Sequence, residues 1–243
     1  MYTKYEQWLN EAKTESFKTK EEVQTWLDEM GITKYTINED LTVDVKGSVI
    51  LSRNDLTSIP VQFGTVSGYF DLSDNELTSL KGSPKEVKGH FYCNNNKLTS
   101  LEGGPEKVKG SFLCSYNNLK SLHGSPINVG GDFYCNDNKL TSLQGGPKEV
   151  EGSFLCAHNY LTSLQGSPKE VKGYFDCNDN KLTSLQGSPE KVKGYFDCGN
   201  NELTSLEGSP KEVKGDFWCQ NNKATFTEDD VTSVSKVKGK IKV

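Results

Sequence analysis

The sequence predicts a repeat solenoid, and the observation that carries this prediction is the spacing of its cysteines. The 243-residue chain contains seven cysteines, and every gap between consecutive cysteines is 21 residues. Disulfide frameworks and zinc sites use clustered or paired spacings, whereas a uniform spacing marks a structural repeat. An apolar fraction of 33% and 23 glycines fit a thin structure in which each unit buries only a few side chains.

Alignment on the cysteines gives a unit of 21 residues with the pattern V-x-G-x-F-x-C-x-x-N-x-L-T-S-L-x-G-x-P-x-x, present nine times. The nine units start at Val45, Val66, Val87, Val108, Val129, Val150, Val171, Val192 and Val213. Phe and Cys alternate with variable residues, and this period of two predicts a strand. We expect the strands to stack into one parallel sheet of nine strands, about 4.8 Å apart.

The other constant positions indicate how each unit turns. One Asn per unit follows the strand, where an amide can both donate to and accept from backbone groups that lose their partners. A pair such as Leu182 and Leu185 is expected to fill the interior. Gly187 and Pro189 then turn the chain outward, so we expect mostly non-helical backs. The cysteine is interpreted as a small buried hydrophobe, which suits a reducing compartment.

The segment F-x-C-x-x-N-x-L-T-S-L resembles the leucine-rich repeat consensus L-x-L-x-x-N-x-L, with Phe and Cys in place of the first two leucines. The strings G-x-F-x-C and L-T-S-L-x-G-x-P look especially like the short repeats of bacterial and bacteriophage members of that family. The resemblance covers residues 45–223. It implies a curved, leucine-rich-repeat-like solenoid of a kind used mostly for protein recognition.

An open solenoid needs caps because its terminal units would expose core, and residues 1–44 are predicted to form the first cap. Two helices and a hairpin are expected there. Thr19 and Glu22 form a capping box that opens the second helix, and Gly31 ends it. The hairpin is expected around residues 38–40. The apolar residues of the first helix are Tyr5, Trp8, Leu9 and Ala12.

The repeat pattern breaks at Ala224, where a leucine is expected. Residues 224–243 are therefore predicted to form a short C-terminal cap, with a short helix or turn followed by a terminal strand. The predicted organisation is a cap at 1–44, nine repeats at 45–223 and a cap at 224–243.

The charge and apolar pattern disfavour several classes of function. A net charge of −5 implies no basic face for nucleic acid. The N-terminus lacks the apolar core of a secretory signal, and the longest aliphatic run, residues 49–51, is far too short to span a membrane. We therefore expect a cytoplasmic protein, in the host cytoplasm if a phage encodes it.

Candidate binding residues are the outward strand positions, which vary among the units although the inward positions hardly vary. Variable chemistry on a rigid framework is typical of recognition surfaces. We predict a concave partner-binding face comprising His90, Tyr92, Leu113, Tyr116, Tyr134, Leu155, His158, Tyr174, Asp176, Tyr195, Asp197 and Trp218. Its aromatic-aliphatic stripe and its aspartates favour a protein partner with a basic, aromatic-compatible surface. The alternative is that the tyrosines pair for stability and the aspartates keep an exposed sheet in solution.

Catalytic and metal chemistry find little support. His90 and His158 lie three units apart, about 14 Å at strand spacing, which is too far for a shared acid-base site. Residues 176–180 superficially resemble a calcium loop but lack its glycine and terminal glutamate. The sequence thus predicts no catalytic residues, no metal site and no cofactor.

Three functions follow, in order of preference. The first is a monomeric scaffold that binds a partner protein, and dimerisation through the sheet or the caps stays open. The phage-like resemblance makes a host factor, such as an antiviral defence component, one candidate partner. The second is a structural component of a virion or surface assembly. The third is an enzyme or a small-ligand-binding protein.

Overall fold

The computed structural model describes residues 17–243, which form two β-sheets and two helices around a continuous core. The helices are α1 (Lys20–Glu29) and α2 (Glu228–Val234). The first sheet has eleven strands: β1 (Tyr35–Ile37), β2 (Val43–Val45), β4 (Phe63–Val66), β6 (Glu86–Val87), β8 (Lys107–Val108), β10 (Asn128–Val129), β12 (Glu149–Val150), β14 (Glu170–Val171), β16 (Lys191–Val192), β18 (Glu212–Val213) and β20 (Lys236–Val237). The second has ten: β3 (Val49–Ile50), β5 (Phe70–Asp71), β7 (Phe91–Tyr92), β9 (Phe112–Leu113), β11 (Phe133–Tyr134), β13 (Phe154–Leu155), β15 (Phe175–Asp176), β17 (Phe196–Asp197), β19 (Phe217–Trp218) and β21 (Ile241–Lys242).

The repeat solenoid predicted from the sequence is confirmed, and its backs are non-helical because both described helices lie outside residues 45–223. The structure adds a second sheet to the single one that we expected. The Val that opens each unit lies on a strand of this added, eleven-stranded sheet, and its side chain is buried. The ten-stranded sheet gains its tenth strand from the C-terminal tail, since β21 pairs in parallel with β19.

A corner of three residues joins the two strands of each unit, and glycine is required at its middle position. The Gly89 amide donates to the carbonyl of Gly68, one turn earlier, at 2.9 Å. A Cβ at Gly89 would lie 2.7 Å from the Gly68 carbonyl carbon, a distance that no real side chain tolerates. Close stacking of successive corners therefore explains why the glycine of V-x-G is constant.

The interior consists of parallel ladders of identical side chains, as the pattern predicts. Phe rings of successive units stack, with centroids 5.1 Å apart for Phe91 and Phe112 and 5.5 Å apart for Phe112 and Phe133. The seven cysteines and the paired leucines are also buried. A stack of like rings at strand spacing holds neighbouring turns in one register, because a slip by one residue would expose every ring.

The asparagine ladder connects each turn to the one before it. The Asn117 amide nitrogen donates to the carbonyls of Cys93, Cys114 and Ser115 at 3.0–3.2 Å. Its oxygen accepts the Leu98 amide hydrogen at 3.0 Å. One side chain thus satisfies four backbone groups in two units, and the predicted role of the column is confirmed.

The described part of the N-terminal region contains α1 and a hairpin. The predicted capping box is present, with Thr19 and Glu22 exchanging side-chain hydrogen bonds to backbone amides. The Trp26 ring lies 6.4 Å from that of Phe63, so α1 covers the first turns of the core. Strands β1 and β2 pair antiparallel across residues 38–42, which confirms the hairpin. The expected first helix, with Tyr5, Trp8, Leu9 and Ala12, lies outside the described residues.

At the C-terminus, α2 buries Val231, and the tail then supplies one strand to each sheet. Four lysines flank these last strands: Lys236, Lys238, Lys240 and Lys242. Charged side chains on an edge strand discourage further pairing by other chains.

Replacement of Asn117 by Ala should lower the free energy of unfolding by about 3–5 kcal/mol, because four buried backbone groups lose their partner. Urea titration followed by circular dichroism measures this. Asn118→Ala is the matched control: this half-buried neighbour lies outside the ladder and should change stability by less than about 1 kcal/mol. Equal losses in both variants would contradict the structural role of the ladder.

The cysteines should resist alkylation in the folded protein. Burial raises the pKa of Cys93 well above its ordinary value, and that of Cys219, on the last repeat, to about 11. Since only the thiolate reacts, maleimide at pH 7.5 should modify Cys219 first and the other six only after unfolding in guanidinium. Peptide mass spectrometry reads out the order. Fast modification of Cys93 in the native protein would be inconsistent with a buried ladder.

Candidate functional site

The outward side chains of the ten-stranded sheet form one column, which we name the front column. Strand register places its members side by side: Ile50, Asp71, Tyr92, Leu113, Tyr134, Leu155, Asp176, Asp197, Trp218 and Lys242. The predicted stripe from Tyr92 to Leu155 is therefore a continuous row, and its side chains are half-buried. Half-burial at each position leaves a low, shallow surface rather than a pocket.

The residue before each Phe forms a flanking column, whose rings lean onto the front column. This column comprises Ser48, Tyr69, His90, Ser111, Asp132, Ser153, Tyr174, Tyr195 and Asp216. The imidazole of His90 stacks on Tyr92 with centroids 5.7 Å apart. Near the other end, Tyr195 stacks between Tyr174, at 4.4 Å, and Trp218, at 5.0 Å. We name Tyr174, Tyr195 and Trp218 the aromatic stack.

The residue before each ladder Asn forms a rim column at the end of the strands. It comprises Arg53, Asp74, Asn95, Tyr116, Asp137, His158, Asp179, Asn200 and Asn221, all with left-handed backbone at φ between 49° and 58°. Asn, Asp and His tolerate that conformation best. Polar members bond along the column; the Asn95 side chain, for example, donates a hydrogen bond to Asp74 at 2.7 Å. The three columns together are the front face.

Tyr116 is an exception in the rim column that sequence reasoning did not recognise as strained. A tyrosine gains no local hydrogen bond from a left-handed backbone, and its φ of 55° costs on the order of 1 kcal/mol. Its side chain is 56% exposed. Folding therefore does not account for a tyrosine at this position, whereas the surface chemistry of a binding face would.

Asp197 corrects one part of the predicted site. We expected an exposed carboxylate, but Asp197 is only 5% exposed. Its oxygens accept hydrogen bonds from the Gly199 amide at 2.8 Å and from the Asn178 side chain at 3.2 Å. Trp218 is its neighbour on the next strand and stacks with Tyr195, so large rings flank the carboxylate. Asp197 therefore lies beneath the surface that a partner would touch.

Asp176 and Asp197 face each other across neighbouring strands. Burial raises the pKa of Asp176 to about 6, a hydrogen bond from the Asn178 amide opposes this, and the nearby Asp197 carboxylate adds to the rise. Burial also raises the pKa of Asp197. Like charges directly opposite in a sheet are destabilising, so this pair works against the fold.

Two phenols of the front face, those of Tyr195 and Tyr134, have raised pKa values. Burial raises the pKa of Tyr195 to about 12, with further contributions from Asp176 and Asp197. Burial and the Asp132 carboxylate raise the pKa of Tyr134, whose hydroxyl donates to Asp132 at 3.4 Å. These phenols therefore offer a hydrogen and a lone pair at neutral pH, not a charge.

Two grooves lie on the eleven-stranded sheet, away from the front face. The larger, of about 1090 Å³, is lined by residues that include Gly104, Lys107 and Ile127. The other, of about 770 Å³, is lined by residues that include Lys148 and Glu149. The predicted binding residues line neither groove. Both are bordered by mixed lysines and glutamates, so neither has one dominant sign of charge.

The described residues bring together few groups for catalysis or metal binding. His90 accepts a hydrogen bond from the Ser111 amide at 3.0 Å, and His158 lies beside Asp179 instead. From residue 17 onward, no three His, Cys, Asp or Glu side chains gather as metal ligands. In the same part of the chain, no helix is long and apolar enough to cross a membrane.

Comparisons with known proteins add the following. No protein-family model matches the chain, and a search of curated proteins found no match. Among solved structures, the chain is similar to YopM from Yersinia enterocolitica WA-314, with a TM-score of 0.38 and 16% identity. The match covers 87% of this chain and 57% of that chain, so the protein spans little more than half the length of that structure. The solenoid described above rests on the chain's own geometry.

Asp176→Asn should stabilise the protein at neutral pH. Asp176 has a pKa of about 6 when folded, against the usual 3.8, so the folded state holds more protons between those values and loses stability as pH rises through them. At pH 7.5 the free energy of unfolding of the variant should be about 1–3 kcal/mol higher than that of the wild type, and at pH 3.5 this difference should disappear.

Urea unfolding at both pH values measures this effect. Asp71→Asn is the matched control, because Asp71 occupies the same column but lies between Ile50 and Tyr92 rather than beside a carboxylate. Equal free energies of unfolding for the wild type and Asp176→Asn at pH 7.5 would contradict the destabilising effect of the carboxylate pair.

Proposed function

We propose that the protein is a non-enzymatic scaffold that binds one partner protein on its front face. The observation that carries this proposal is the chemistry of the outward positions, which the fold leaves free. Tyr134 and the aromatic stack lie on a sheet whose backbone is fixed by ladders on its inner side. Large aromatic side chains on a rigid surface are typical binding hot spots because they lose little entropy on association.

Two observations support a binding role over a purely structural one. The tyrosines do stack along the sheet, which is the stability role that we weighed as the alternative. That role does not account for Tyr116, which is exposed in a left-handed conformation, or for the Asp176–Asp197 pair, which opposes folding. Strained residues gathered on one surface are more typical of a functional site.

The acidic character of this face favours a partner with a basic, aromatic-compatible surface. We further propose a monomeric, cytoplasmic protein with caps at 1–44 and 224–243 around the repeats at 45–223. The resemblance of the repeats to phage sequences makes a host protein, such as an antiviral defence component, a candidate partner. A structural role in a virion is the second candidate, since solenoids with regular surfaces also serve in assemblies.

Affinity capture from a bacterial host lysate, followed by binding of the purified captured protein, tests the proposal. Tyr134→Asp should weaken that binding at least about tenfold, because it removes a hot-spot ring and adds a charge next to Asp132. Tyr160→Asp is the matched control, since Tyr160 is exposed but lies outside the three columns, beneath Lys181. If both variants weaken binding equally, or if neither weakens it, the partner does not bind on the front face.

A further inference from the structure

The two carboxylates beside the aromatic stack accept few hydrogen bonds from the protein. Asp176 accepts the Asn178 amide, and Asp197 accepts the Gly199 amide and the Asn178 side-chain nitrogen. The side-chain oxygen of Asn178 is buried without any partner.

Gln220 adds a second unpaired acceptor at the same place. Its side-chain oxygen is buried without a partner, and its side chain lies against Gly199, which binds Asp197. Buried acceptors are nearly always bonded, and one left alone costs free energy. The protein therefore supplies too few donors beneath the aromatic stack. The acceptor that a ligand can reach is Asp176, which is half-buried and uses only its Oδ1 in the bond from the Asn178 amide.

The charges around this surface are mostly negative. Asp179 and Asp216 lie in the adjoining columns, so four aspartates surround the aromatic stack. The basic side chains close to the pair are His158, near Asp176, and Lys242, near Asp197, each at one margin. A cationic ligand would meet net negative charge across the centre of the surface.

Geometry narrows the kind of cation. Both faces of Tyr195 are covered by Tyr174 and Trp218, so a ligand meets the outer edge of the Tyr195 ring rather than its face. A metal ion would need more carboxylate or histidine ligands than the described residues bring together. A planar guanidinium carries five donors in a fixed fork, and it packs against aromatic groups at a low cost of dehydration.

We infer that the surface formed by the aromatic stack and Asp176, above the buried Asp197, receives an arginine side chain of the partner protein. The inference deepens the proposed function and rests on it. Asp176 is the carboxylate that the guanidinium would contact, because Asp197 is the more buried of the two. An arginine there would also neutralise the repulsion between the carboxylates.

The test uses the full chain and two probes, acetyl-Gly-Arg-Gly-Arg-Gly-amide and the same peptide with lysines. Titration is followed by NMR on the Trp218 indole N–H. The arginine peptide should shift this signal in a saturable way and bind about threefold or more tightly than the lysine peptide. Asp176→Asn should weaken arginine-peptide binding about fivefold or more, because it removes a charge-assisted contact.

The matched control is Glu207→Gln, which removes one charge from an exposed position outside the three columns and should leave the affinity unchanged. Equal binding of both peptides, or equal weakening by both variants, would show attraction to net charge alone and overturn the inference. An unshifted Trp218 signal would overturn it as well.

The proposed function can fail separately from this inference. If Tyr134→Asp abolishes binding of the captured partner while the peptides do not discriminate, the front face docks a protein and the arginine site is wrong. If Asp176→Asn weakens the arginine peptide but Tyr134→Asp leaves partner binding intact, the arginine site stands as a local property and the docking proposal is wrong.

Discussion

The hydrogen bonds of the asparagine ladder are the interaction on which the rest of the structure depends. Each ladder side chain closes the end of its own strand and binds the backbone of the preceding turn, as Asn117 does with Cys93 and Leu98. A turn that slipped by one residue would lose these bonds and would rotate its Phe out of the stack. The ladder thus fixes the register on which the Phe column and the front column both depend.

Because contacts in the core fix the register, the inward-facing and outward-facing side chains of the sheet are under different constraints. Inward positions are constrained by stacking and by close approach, as at Gly89. Outward positions carry no such constraint, and some of them hold residues that do not stabilise the fold. The Asp176–Asp197 pair and the left-handed Tyr116 are the clearest cases. Stability supplied by nine similar units can accommodate a few such positions.

Much of this architecture could be predicted from periodicity, because identical units must stack in the same way. The eleven-stranded sheet could not be predicted. Most of its strands are two residues long, such as Glu86–Val87, and a strand that short has no alternation to detect. A terminal strand in the tail was predicted and is present as β21, but its pairing with β19 was not predicted, since Ile241 follows a segment outside the 21-residue pattern.

The columns of the candidate site were predicted from the sequence, whereas the predicted exposure of Asp197 was wrong. Column membership follows from the period, so Tyr92 to Leu155 could be placed in one row. The burial of Asp197 depends on how the Tyr195 and Trp218 rings lean across neighbouring strands, which spacing does not encode. The left-handed rim did leave a signal, because Asn, Asp and His dominate that column.

Amide hydrogen exchange followed by NMR tests the central claim most directly, namely that the asparagine ladder holds the turns in register. The amides that donate to ladder oxygens should exchange as slowly as the strand amides of Phe112 and Phe133, although they lie outside any strand. These amides belong to Leu56, Leu77, Leu98, Leu119, Leu140, Leu161, Leu182 and Leu203. Slow exchange along the whole series would place the ladder in the most stable part of the fold. Exchange of these leucine amides at the rate of exposed loops, with the strands still protected, would contradict the account.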